Sequence, residues 1–197
     1  GGTYDIGIQS LSGAIERQSD FIYVCYDNEG YMNTGNQRSG STPFGAISGT
    51  TPILGKQQKP KDITAIMEAH GIPYVATANA CYPLDLYEKV RKAKSIQGTR
   101  FIHVFTPCPP GWRFPFSDTI KIGQLAVETG WVVLYEIEGG TFRLTAASES
   151  IARRGKLKPL REYLSQQGRF NNISENQINE LQALVDVRWK RYLDRAG

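Results

Sequence analysis

Three places in this 197-residue chain carry residue types suited to binding or redox chemistry. The first is the opening pair Gly1-Gly2, which runs directly into an apolar-periodic segment. Glycine lets a phosphate approach the backbone, and the free N–H groups of a helix start favour an anion. Read alone, two glycines suit a flexible end equally well. The second place is 27–37, Asp-Asn-Glu-Gly-Tyr-Met-Asn-Thr-Gly-Asn-Gln, directly after an apolar run. Hard cations such as Mg2+ take side-chain and backbone oxygens and keep diphosphate oxygens in the rest of their shell. Asn28 and Gly30 are two residues apart, a spacing that can turn an amide oxygen and a carbonyl toward one ion. The same residues also suit a polar turn closed by Asx hydrogen bonds. The third place is Cys108, set among Pro107, Pro109 and Pro110. Prolines fix φ and restrict the loop, which suits either a thiol in a rigid turn or a ligand that must keep one direction.

These sites need elements to hold them, and the pattern supplies an alternation. Short apolar runs at 20–26, 73–78, 100–106 and 131–137 read as strands. Helices are expected over 4–17, 62–70, 83–96 and 117–129, with Gly71 and Gly130 as stops. The rhythm implies an α/β fold, an open and mostly parallel sheet with helices on both faces. In such sheets ligands bind beyond the carboxyl ends of the strands, where both 27–37 and the Cys108 loop must open. The polar stretch 27–61 is long for a loop inside a compact domain, and such loops tend to be functional. After Thr145 the chain turns basic and polar, then ends in a long helix announced by a Ser174-x-x-Gln177 capping box. Ile178, Leu181, Val185 and Trp189 follow at helical spacing, the mark of a packed face. The domain reading is therefore 1–145 for the α/β unit and 146–197 for a C-terminal extension.

Composition narrows the classes. With 40% hydrophobic and 21% charged residues, the chain is globular rather than disordered. A net charge of +4 without a dense Lys/Arg block argues against a nucleic-acid partner. No apolar run reaches the roughly 20 residues of a membrane helix, and no signal peptide is visible at Gly1. Cys25, Cys81 and Cys108 are odd in number and widely spaced, so a reducing, cytoplasmic compartment is expected.

Several segments, in order, resemble one family. Gly-Gly-Thr-Tyr-Asp-Ile-Gly, then Tyr-Asp-Asn-Glu-Gly-Tyr-Met-Asn-Thr-Gly-Asn-Gln-Arg-Ser, is similar to the thiamine-diphosphate motif of 2-oxoacid:ferredoxin oxidoreductases. The likeness is closest to the β subunit of the pyruvate-using members. It continues through Ser41-Thr42-Pro43, 69–77, Thr106-Pro107-Cys108-Pro109-Pro110-Gly111-Trp112, 134–138 and Gln167-Gly168-Arg169-Phe170. The resemblance implies the thiamine-diphosphate-binding fold and oxidative decarboxylation of pyruvate to acetyl-CoA and CO2, reversibly, with electrons passed to ferredoxin. It implies Asn28 and Gly30 as Mg2+ ligands, Gly1 and Gly2 as diphosphate-binding amides, and Asn33 as the catalytic residue reaching cofactor and substrate. Thr34 and Gly35 are expected to line the same crevice. Cys108 is implied as the distant ligand of a [4Fe–4S] cluster whose other three cysteines lie upstream of Gly1. The implied partners are α, γ and δ subunits, ferredoxin, pyruvate and coenzyme A.

One departure stands out. The family's motif opens Gly-Asp-Gly, and its Asp, a Mg2+ ligand, would precede Gly1, as would the strand that carries it. The chain therefore reads as the C-terminal two-thirds of a β subunit. Two alternatives remain: the same chemistry on oxalate, another 2-oxoacid or an arylpyruvate, and a truncated, non-catalytic α/β module. Cys25 reads as a small buried hydrophobe, Cys81 as a loop thiol, and His70 and His103 as structural. Glu29 is not expected to act as a general base, because the aminopyrimidine of thiamine diphosphate serves that purpose.

Overall fold

The computed structural model describes residues 1–197. Five strands, β1 (Phe21–Asp27), β2 (Tyr74–Asn79), β3 (Thr99–Phe105), β4 (Tyr135–Glu138) and β5 (Thr141–Leu144), form one sheet in the order β1-β3-β2-β4-β5. Eight α-helices accompany them: α1 (Ile8–Glu16), α2 (Ile63–Ala69), α3 (Pro83–Ser95), α4 (Pro109–Trp112), α5 (Thr119–Glu128), α6 (Ala146–Arg154), α7 (Leu160–Leu164) and α8 (Glu175–Ala196). Strands β1, β3 and β2 run parallel and end level, Asp27 opposite Phe105 and Phe105 opposite Asn79. All six residues of β2 are buried, as expected of a strand covered on both faces.

Alternation along the strands divides the core. Cys25, Val75, Phe101, Phe105 and Ile137 face the larger cluster, joined by Leu11 and Ile15 of α1, Met67 of α2, Ile122 of α5, and Leu181, Val185 and Trp189 of α8. Tyr74, Ala76, Ala78, Ile102 and Val104 face the other way, onto Ala93 of α3. Helices thus cover both faces, as the pattern implied. The final helix has its capping box, with Gln177 N donating to Ser174 Oγ at 3.3 Å and Ser174 N to Gln177 Oε1 at 2.9 Å.

Two expectations need correction. The first helix is broken: Gly2–Ile6 forms a π-helical turn, and α1 starts only at Ile8. Gly7 N donates to Gly2 O at 2.7 Å across the break, and a Cβ on Gly7 would sit 2.6 Å from that same oxygen. The run 131–137 becomes a strand only from Tyr135, and β4 is antiparallel to both β2 and β5. Gly139 and Gly140 have φ of +54° and +82°, the geometry of a two-residue hairpin, which forbids a helical crossover there. The basic stretch after Thr145 folds as α6 and α7, with Ile151, Leu160, Tyr163 and Leu164 buried in the larger core.

Between β1 and α2 the chain has neither helix nor strand, and its order comes from side chains. Lys56, only 1% exposed, donates to the carbonyls of Thr42, Ser39 and Gly40 at 2.7, 3.1 and 3.4 Å. Asp5 accepts from Gly40 N at 2.8 Å, and Ile47 N donates to Arg169 O at 2.8 Å.

Candidate cofactor site

The site grows from the carboxyl edge of the sheet. Thr106 N donates to Asp27 O at 2.9 Å, extending the β1–β3 ladder by one step before both chains leave it. The chain then turns through Asn28, Glu29 and Gly30, with Glu29 at φ +60°. Glu29 N donates to Asp27 Oδ1 at 2.8 Å, Thr42 Oγ1 to Glu29 O at 2.7 Å, and Trp112 Nε1 to Asn28 O at 2.9 Å. The Asn28 side-chain amide and the Gly30 carbonyl take no part in these bonds and have no partner elsewhere in the chain. Gly30 is a buried residue, and its carbonyl oxygen accepts no hydrogen bond from the protein.

Gly1, Gly2, Asn28, Gly30, Asn33 and Thr34 line a single cavity of about 550 Å3 at the end of β1. Gly35 does not join them; its carbonyl backs onto Gly49, where an added Cβ would approach it to 2.6 Å. A Cβ on Gly1 would fall inside the Tyr31 ring, whereas one on Gly2 would meet nothing within 4 Å. Gly1 and Gly2 thus line this cavity beside the turn, and their nitrogens donate to nothing else in the chain.

Charge is concentrated behind the turn. His103 Nε2 lies 3.0 Å from Asp27 Oδ2 and 3.1 Å from the Tyr4 hydroxyl. Burial alone would raise the Asp27 carboxyl, but His103 and the Glu29 N–H hold it below its ordinary value. Burial, then the Asp27 charge, keeps the Tyr4 phenol well above its ordinary value. Glu29 is raised by burial, against the pull of Arg169. Burial also pushes the Cys25 thiol up to about 11, fitting an unreactive strand residue. Outside this region, Cys81 Sγ lies 3.6 Å from Thr119 O, and His70 Nε2 2.8 Å from Ser12 Oγ.

Cys108 caps α4 on the same sheet edge. A Cβ built on Gly111 would lie 3.2 Å from Cys108 Sγ and would overlap Met32 Sδ, so the thiol stands beside the 27–37 loop. No group of three or more His, Cys, Asp or Glu side chains converges anywhere in the chain. Four thiolates hold a four-iron cluster, and no such group of thiols meets within this chain.

Sequence reasoning named the turn but missed its supports. Trp112, Trp131, Thr42, Lys56 and Arg169 contact the turn or the segment behind it from distant parts of the chain. Thr42, Trp112 and Arg169 lie in segments carrying the resemblance, 41–43, 106–112 and 167–170; Lys56 and Trp131 had no advance signal. No helix is long and apolar enough to cross a membrane.

Comparison with known proteins identifies the family. Residues 1–104, more than half of the chain, match the thiamine pyrophosphate enzyme C-terminal TPP binding domain. The chain is 52% identical over 194 residues to pyruvate synthase subunit PorB of Methanocaldococcus jannaschii, covering 96% of this chain and 63% of that protein. It is 46% identical to the PorB subunit of Thermotoga maritima, with 98% and 60% covered. Ketoisovalerate oxidoreductase subunit VorB of Pyrococcus horikoshii is 45% identical, with 97% and 61% covered. The chain thus spans a little under two-thirds of the length of these relatives. A 2-oxoglutarate:ferredoxin oxidoreductase from Magnetococcus marinus, solved with 2-oxoglutarate, coenzyme A and succinyl-CoA bound, superposes with a TM-score of 0.55. That match covers 90% of this chain and 63% of the solved one at 23% identity, and it speaks for the fold. With the domain match across 1–104 and the glycines and turn of that segment meeting at one cavity, the chain belongs to the thiamine pyrophosphate enzyme family.

Proposed function

We propose that this chain is the thiamine-diphosphate-binding part of the β subunit of a pyruvate:ferredoxin oxidoreductase, converting pyruvate and coenzyme A to acetyl-CoA and CO2, reversibly. The observation that carries this is the 52% identity to a pyruvate synthase subunit along nearly the whole chain. The residues present fit a metal-bound diphosphate in their chemistry. Asn28 and Gly30 line one cavity and offer two unpaired oxygens, the donor type Mg2+ takes. Gly1 and Gly2 bring free amides to the same cavity, where an anion is favoured.

When bound, thiamine diphosphate supplies the carbanion chemistry of 2-oxoacid decarboxylation, and the protein supplies binding, orientation and electrostatics. Asn28 and Gly30 would hold Mg2+, and Gly1 and Gly2 the diphosphate. Asn33 and Thr34 are exposed on the cavity lining; Asn33 would reach cofactor and substrate, with Thr34 beside it. Cys108, with cysteines from elsewhere in the complete protein, would complete a [4Fe–4S] cluster close to the cofactor loop. The remaining subunits, α, γ and δ, and ferredoxin as electron acceptor, belong to the same reading. The 45% identity to a ketoisovalerate oxidoreductase subunit supports a second substrate reading, a branched 2-oxoacid.

The test is reduction of a viologen dye by the complete complex with coenzyme A, comparing pyruvate with ketoisovalerate, oxalate and 2-oxoglutarate. Pyruvate should give the highest kcat/KM. Faster turnover of ketoisovalerate would move the assignment to the second substrate, and no turnover of any 2-oxoacid would end it.

A further inference from the structure

The turn that presents Asn28 and Gly30 has an unexpected residue at its apex. Glu29 sits at φ +60°, a region in which glycine is comfortable and a residue with a Cβ is strained. Glu29 is absent from the lining of the cavity at the end of β1 and instead borders a second cavity, of about 510 Å3, with Asp27, His103 and Trp131. There Trp131 Nε1 donates to Glu29 Oε1 at 3.1 Å, and Arg169 Nη2 lies 2.6 Å from Glu29 Oε2. The two charged side chains are 9% and 3% exposed, so the pair is almost fully withdrawn from water.

Arg169 is itself fixed from several directions. Its Nε donates to Gln167 Oε1 at 2.8 Å, and its guanidinium lies over the Trp112 ring, 3.9 Å from the centroid. Trp112 in turn donates to Asn28 O, so backbone and side chain of the turn are gripped by one stack. Trp112, Trp131 and Arg169 all lie outside the matched domain segment 1–104. A buried ion pair is a poor source of stability, because desolvation offsets its attraction; its best-attested use is to impose one arrangement. Here the arrangement imposed is a left-handed conformation at residue 29.

We propose that Glu29 and Arg169 are positioning residues: this ion pair, which ties the turn to the C-terminal extension, and the Trp131 and Trp112 indoles of the α/β unit hold the turn so that the Asn28 amide and the Gly30 carbonyl converge on one metal ion. The proposal rests on the reading that these two oxygens bind the Mg2+ of thiamine diphosphate. Released from the clamp, residue 29 relaxes toward negative φ. The peptides on either side of it then rotate, and the two oxygens part.

The test uses the complete complex stripped of cofactor, titrated with Mg2+ at saturating thiamine diphosphate, with unfolding midpoints and amide exchange recorded on the cofactor-free protein. Glu29→Ala loses the clamp and keeps the strain, so its apparent Mg2+ affinity should fall about tenfold, the range seen when support of a metal ligand is lost. Glu29→Gly loses the same ion pair but adopts the left-handed turn freely, and should return to within roughly threefold of wild type. Arg169→Lys keeps the charge without the planar stack, and amide exchange at 29–31 should quicken. Trp131→Phe, which removes one N–H donor, serves where the arginine variant does not assemble, and should show the same faster exchange. Equal losses in the alanine and glycine variants, or no loss in either, would overturn the clamp. Asn28→Leu runs alongside: if it too leaves Mg2+ affinity unchanged, the metal reading has failed, and if it alone weakens binding, only the clamp has.

Discussion

Lys56 offers a sharp test of how the long irregular segment is held. Its ammonium is buried and donates to three carbonyls, with no carboxylate paired to it. Burial, helped by the nearby Arg38 charge, brings its pKa from 10.5 down to about 8. Between those two values the folded protein holds fewer protons than the unfolded chain, so stability rises with pH across that window and the full penalty is present below it. At about 1.4 kcal/mol per unit the shift corresponds to roughly 3 kcal/mol, an upper bound on the gain. Lys56→Met leaves the Thr42 and Ser39 carbonyls without their donor, and near neutral pH should lower stability by about 1–2 kcal/mol. Because the variant cannot titrate at this position, the gap between wild type and variant should then widen by up to about 3 kcal/mol toward pH ~10. Urea midpoints of both proteins across that range measure the gap, and comparing the two cancels every other titrating group. A gap that stays constant would mean that burial leaves the lysine unshifted, and one that narrows as pH rises would mean that the fold favours the charged form; either would refute the reasoning.

Other consequences concern the turn and its surroundings. Thr42→Val removes the donor to the buried Glu29 carbonyl and should cost about 1–3 kcal/mol in urea unfolding; an unchanged midpoint would show that water replaces the hydroxyl. Asp27 is held below its ordinary pKa, so its stabilisation is present above about pH 4 and fades as pH falls through the depressed value. Asp27→Asn should therefore lose less stability than wild type on acidification to about pH 3, and parallel pH profiles would contradict the pairing with His103. Asn28→Leu, by removing one metal-facing oxygen, should weaken Mg2+-dependent retention of thiamine diphosphate about tenfold or more, read by calorimetry on the complete complex. Retention equal to wild type would remove Asn28 from the site.

Much of this was written in local sequence. The β-branched run ending at Asp27, followed at once by amides and glycines, announces a strand with a polar loop at its carboxyl end, and the loop is there. The direction of β4 was misread because alternation of strands and helices suggests crossovers, while the Gly139-Gly140 pair that turns the chain back is a two-residue signal. Gly35 was grouped with the site through the resemblance; it stands outside the cavity lining, at a φ of +120°. The clamp on Glu29 was beyond local reading. A glutamate in a polar loop looks solvated, and only the fold brings Arg169 and Trp131 to it. Buried charges reveal themselves through tertiary partners, which periodicity does not encode.

The central claim is that two oxygens, Asn28 Oδ1 and the Gly30 carbonyl, present one metal ion to a diphosphate at the end of β1. A crystal structure of the complete protein grown with thiamine diphosphate and Mg2+ tests it most directly. The account predicts the metal at about 2.1 Å from both oxygens, with the diphosphate against Gly1 and Gly2. A metal held by neither Asn28 nor Gly30, or a diphosphate bound outside this cavity, would contradict it.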